Sequence, residues 1–150
     1  MKAFTILLLF PLLFAGTYLP AKAPDCEYKA DFQTNDIDVV GSLESKVTSQ
    51  VQIAIENKGS CTWKKNEVYM QVLVYTGPRG FNKSEAFNTF KTRVKHQMNT
   101  DNITSGRAAK FIIRFDPVEM EGLYRLGFSL YGKGGKLIHG PVTKDLRYTD

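Results

Sequence analysis

Two histidines and two cysteines are all that 150 residues hold of the side chains most used for metal binding and nucleophilic catalysis. His96 and His139 have no cysteine, carboxylate or histidine beside them at metal-ligand spacing, and two distant cysteines cannot complete a tetrahedral site. No nucleophile elbow occurs. Glu119 and Glu121 follow Pro117 in a polar turn, where a solvated corner is the expected reading rather than an acid/base pair. These scarcities leave no catalytic residues, no metal and no cofactor to nominate. The surplus of positive charge is also small. A formal +5 falls by two if the N-terminal segment is removed, because Lys2 and Lys22 leave with no acid, so nucleic acid is not an expected partner. Past the N-terminus no apolar run is long enough to span a bilayer, and there is no internal repeat or low-complexity tract.

One near-motif needs separate treatment. Gly77-Pro78-Arg79-Gly80-Phe81-Asn82-Lys83-Ser84 ends in Lys-Ser like a phosphate-binding loop, but Asn82 occupies the place of the glycine before the lysine. No helix is expected after it to offer its N-terminus, so it reads as an ordinary loop.

What is present begins with a leader. Lys2 precedes an apolar run from Thr5 to Phe14, followed by small residues, which is the layout of a secretory signal peptide. Ala21-Lys22-Ala23 fits a cleavage site, giving residues 1–23 as signal peptide and 24–150 as one domain; Pro24 is unfavourable just after it, so cleavage after Ala21 or near Ala15 stays open, as does an uncleaved anchor. Cys26 and Cys61 remain in the exported part, where an even count in an oxidising compartment points to a disulfide, two buried thiols being the alternative. Such a bridge closes a loop of roughly 35 residues and stabilises the fold by about 3–4 kcal/mol.

From Cys26 onward the dominant period is two, the mark of half-buried strands. Tyr28, Ala30 and Phe32 alternate with charged residues, as do Val51, Ile53 and Ile55 with polar ones, and the turn at Asn57-Lys58-Gly59-Ser60 suits a glycine at positive φ. Residues 68–75 are apolar on both parities, predicting a strand covered on more than one side. Residues 81–98 show no clear period; Phe87 and Phe90 are expected to be buried, with Val94 and Met98 on a strand. Phe111, Ile113 and Phe115 alternate up to the stop at Asp116-Pro117, and Tyr124, Leu126, Phe128 and Leu130 form another inward set. A glycine-rich hairpin at 132–135 and a last strand over 142–148 complete the pattern. About seven short strands predict an all-β, immunoglobulin-like, two-sheet antiparallel β-sandwich. Trp63, Tyr124 and Phe128 are candidate core residues.

Two segments resemble the immunoglobulin-like central domain, or four-tryptophan domain, first described in an autophagy receptor. The first runs from Val51, Ile53 and Ile55 through Asn57 and Gly59 to Cys61 and Trp63. The second runs from Asp116-Pro117 through Gly122, Tyr124, Phe128 and Leu130 to Gly135 and Gly140, with Ser105-Gly106 where that family has Pro-Gly. Only one tryptophan is present, with Phe128 and the Ile138-His139-Gly140 stretch departing from the family pattern. The likeness covers about residues 46–148 and implies a sandwich and a partner-binding role.

The expected function is an exported, non-catalytic protein-binding or assembly module in the periplasm, envelope or extracellular space, with no membrane span once the leader is cleaved. Its candidate contact loops span 79–88, with Arg79, Phe81 and Lys83, and 99–107, with Asn102 and Arg107. The alternative is carbohydrate binding on exposed aromatics such as Tyr69, Tyr75, Tyr131 or Phe81. Asn82-Lys83-Ser84 and Asn102-Ile103-Thr104 also meet the N-glycosylation rule, which matters only in a eukaryotic secretory pathway.

Overall fold

The computed structural model describes residues 25–150, so the leader and its cleavage site lie outside the described residues. The strands are β1 (Ala30–Asp31), β2 (Ile37–Val40), β3 (Ser49–Asn57), β4 (Tyr69–Thr76), β5 (His96–Gln97), β6 (Ala108–Phe115), β7 (Gly122–Tyr131) and β8 (Leu137–Tyr148), with one helix, α1 (Lys83–Thr89). They form two antiparallel sheets. In the first, β3 is central: β6 pairs along one side of it, while β1 and β2 share the other. The second runs β5-β4-β7-β8.

The alternation explains the layers. Val51, Ile53 and Ile55 of β3 and Phe111, Ile113 and Phe115 of β6 face Met70, Val72, Leu126, Phe128 and Leu130 of the other sheet, all fully buried. Each such side chain contributes about 1.5–3 kcal/mol relative to remaining in water. Trp63, Tyr124 and Phe128 all belong to this core. With β3 and β6 as positions B and E, and β4, β5, β7 and β8 as C, C′, F and G, this is an immunoglobulin-like sandwich. Tyr124, near the start of β7, donates its hydroxyl to the Met120 carbonyl at 2.9 Å, the tyrosine-corner arrangement of such folds at the crossing between sheets. Among the described residues no strand takes position D beside β6.

Four expectations need correction. A helix does follow the 77–82 loop: Asn82 caps it by accepting from the amides of Ser84 and Glu85 at 3.0 and 3.3 Å, and Phe90 beyond its end is buried against Phe115 and Tyr124. Two turns are too short to show a helical period against the surrounding polar residues. The outer face of β4 is covered only toward its start, where Lys95 lies over Tyr69 and Gln71 donates to the Thr92 carbonyl; further along it Leu73 and Tyr75 are exposed. Val94 and Met98 both lie outside a strand, since β5 holds only His96–Gln97; Val94 is exposed and Met98 is buried.

Gly59 is required for a different reason from the one expected. Its φ is not positive; a Cβ there would lie 2.1 Å from the Glu27 carbonyl oxygen. The turn must approach the N-terminal segment closely because Cys61 donates its amide to Glu27, Lys58 donates its amide to Lys29, and Cys26 is bonded to Cys61.

Candidate functional site

The two loops expected to bind a partner lie at opposite ends of the sandwich. Residues 99–107 sit beside the disulfide: Trp63 and Ile103 exchange backbone bonds of 2.9 Å, and Asn57 bonds the backbone of Gly106 and Arg107. Residues 79–88 sit at the end marked by Phe115, Tyr124 and Tyr148, whose rings pack around Phe90. Arg79 and Lys83 are exposed in the latter loop, Asn102 and Arg107 in the former. Phe81 is turned inward, over Gly77 and edge-on to Tyr124 at 6.4 Å. The structure therefore brings these five residues into no common surface.

The aromatic alternative fares similarly. Tyr69 stacks on Tyr131 across β4 and β7, with ring centroids 5.4 Å apart, and the Lys95 ammonium lies 4.6 Å over the Tyr69 ring. The Tyr69 ring is thus packed against two neighbours, and a sugar ring needs an aromatic face left open. Tyr75 remains, its ring laid over Gly127 and its residue exposed.

The feature that sequence reasoning missed is the edge of β6. A sandwich has four sheet edges, and an unpaired edge invites another strand. Here β5 is two residues long, and the edge holding β1 and β2 is broken by the turn at Thr34–Asp36. The edge of β8 is tied to residues 32–34 only near its middle: Thr34 Oγ1 donates to the Thr143 carbonyl at 3.0 Å, Lys144 Nζ donates to the Thr34 carbonyl at 3.3 Å, and His139 Nε2 lies 3.1 Å from the Phe32 carbonyl. β6 is eight residues long and pairs with β3 alone.

Its outer side is tied only near its ends. The Asn99 amide donates to the Lys110 carbonyl at 2.9 Å, and the Asp116 amide donates to the Thr89 carbonyl at 3.1 Å. Residues of one parity direct their N–H and C=O groups to the same side of a strand, so Ile112 and Arg114 face outward with them. No backbone bond from the described residues meets those two on that side. The chain bows away from β6 between Thr89 and Asn99, leaving an open groove of about 650 Å³ lined by Lys91, Val94, His96, Asn99, Ile112 and Arg114.

The groove is basic and partly apolar. Lys91 pairs with Asp116 at one end, and Arg114 Nε donates to Gln50 Oε1 at 3.2 Å on the exposed side. His96 is held below the ordinary histidine range, first because burial disfavours imidazolium; the Lys91 carbonyl opposes this and the Lys91 ammonium reinforces it. Its Nε2 is buried with no hydrogen-bond partner. Among the described residues, no three histidine, cysteine, aspartate or glutamate side chains gather to hold a metal, and no helix is long and apolar enough to cross a membrane.

No family model matches the chain, and no curated protein is similar to it in sequence. Two solved structures show a similar chain course, both of the CARDB domain of the PF1109 protein from Pyrococcus furiosus. One, solved in complex with di-metal ions, is 10% identical with a TM-score of 0.45, over 83% of this chain and 89% of that one. The other, a solution structure, is 11% identical with a TM-score of 0.45, over 82% of this chain and 98% of that one. The assignment as an immunoglobulin-like sandwich rests on the strand pairing of the chain itself.

Proposed function

We propose that the protein is an exported, non-catalytic module that binds another protein or joins an assembly through main-chain surface left open by its sandwich. The observation that carries this reading is β6 itself, eight residues long and paired on one side only, with the main-chain groups of Ile112 and Arg114 directed outward and unpaired. Proteins normally cover or break such an edge, and one left long and open is a recognition surface or a hazard. The Cys26–Cys61 disulfide, which ties the start of the domain to the turn after β3, supports export, since cystines persist in oxidising compartments. Resemblance to the four-tryptophan domains, carried by β3, the Asn57 turn and Trp63, supports an adaptor role within the same reading.

The test is affinity capture. The oxidised protein is immobilised and exposed to the solubilised envelope and secreted fraction of its own organism. A protein retained in stoichiometric amount, and competed off by soluble domain, is the expected result. Retention of polysaccharide alone on Tyr75, or an empty column, would contradict it.

A further inference from the structure

The open edge has a charge and a shape, and these define what fits it. Resting on the binding-module reading above, we infer that the β6 groove accepts an extended, acidic segment of a partner protein, added as a strand alongside Ile112 and Arg114. Those two residues offer the main-chain donors and acceptors that a bound strand needs, and no others on that edge are free between the Asn99 and Thr89 contacts. A strand beside β6 places alternate side chains on either face of the extended sheet. In the groove they meet Val94, the aliphatic side of Ile112 and Arg114, with Lys110 exposed two residues before Ile112 on the same face of β6.

The charges select the partner. Lys91, Lys110 and Arg114 lie along the seam; Lys91 is paired with Asp116, and Lys110 and Arg114 are exposed. Cross-strand pairs of opposite charge contribute about 0.2–1 kcal/mol each, and like charges directly opposite destabilise. Glutamate or aspartate opposite Lys110 and Arg114 is therefore favoured. A second copy is the poorer occupant, since two such edges bring like charges together; pairing centred on Ile112 sets Lys110 against Arg114.

The experiment uses the oxidised protein and a short peptide alternating glutamate with valine, with a lysine–valine peptide of the same length as control. Amide hydrogen exchange is followed by NMR. The expected result is slowing of exchange at Ile112 and Arg114 by at least about tenfold with the acidic peptide and not with the basic one. Arg114→Glu, an exposed change, is expected to weaken the acidic peptide about tenfold and to admit the basic one. Equal protection by both peptides would overturn the charge selection. Protection elsewhere, or none, would overturn the site. If the two amides were already protected in the free protein, in proportion to its concentration, the occupant would be a second copy and the proposal would fall. Should Arg114→Glu retain the captured proteins as well as the unaltered chain does, the binding-module reading would stand and the β6 site alone would fail.

Discussion

Asn57 is fully buried, yet its side chain is wholly engaged. Its Nδ2 donates to the carbonyls of Cys61 and Ile103 at 2.7 and 3.0 Å, and its Oδ1 accepts from the Gly59 amide at 3.0 Å. One side chain thus fastens the turn after β3 and the 99–107 loop to the same point. Asn57→Ala strands two buried backbone groups, the Cys61 carbonyl and the Gly59 amide, while the Ile103 carbonyl keeps its bond from the Trp63 amide, so urea denaturation should show a loss of about 2–4 kcal/mol. Trp63 presents the opposite case: it is fully buried and its Nε1 has no acceptor. Trp63→Phe removes an unsatisfied donor along with part of the packing, and is expected to cost less than Trp63→Ala, for which about 3–5 kcal/mol is usual; equal losses would show that the indole nitrogen has a partner. His96 gives stability a pH dependence. With its folded pKa lowered by burial, the unfolded chain takes up the proton first as pH falls through about 6.5. Its contribution is present above that range and lost below, so the denaturation midpoint should drop between about pH 7 and pH 5, and His96→Gln should reduce the drop. Burial of Trp63 and the turn at Asn57 were legible in the sequence, as a large apolar residue beside an Asn-x-Gly turn. The role of Gly59 was not, because a close approach between residues 27 and 59 is a tertiary fact.

At the scale of elements, strands with one wet face were readable from their alternation, as in β3 and β6, and the inward set of β7 was too, although residues 126–130 are buried on both parities. Helix α1 was not, although its start carried a signal: Asn82, a preferred N-cap residue, stands three before Glu85. The cap contributes measurably, and Asn82→Ala is expected to lower stability by about 1 kcal/mol. The accompanying local effect is weaker packing of Phe90 against Tyr124 and Tyr148, observable in their ring resonances. The β6 edge was invisible for a different reason. Alternation reports which faces of a strand are buried, and Phe111, Ile113 and Phe115 are buried whether or not β6 has a second neighbour. Which edge is paired depends on where residues 90–99 run, and those residues carry no period.

For the whole molecule, the disulfide and the sheet pairing act at separate places. Cys26–Cys61 closes the end that holds Trp63 and Asn57, while Tyr124, Tyr148 and Phe90 organise the other. Replacing both cysteines by serine should therefore lower stability by about 3–4 kcal/mol through the unfolded chain's freedom, leaving the far end of the core unchanged in its NMR shifts. Between the two ends, the long side of the sandwich at β6 is left unpaired, and the loops at 79–88 and 99–107 lie at opposite ends. The most direct measurement is amide exchange on the protein bound to its captured partner, compared with the free protein. The account predicts new protection at Ile112 and Arg114, with both end loops unchanged. Protection confined to 79–88 or 99–107, with Ile112 and Arg114 exchanging as in the free protein, would contradict it.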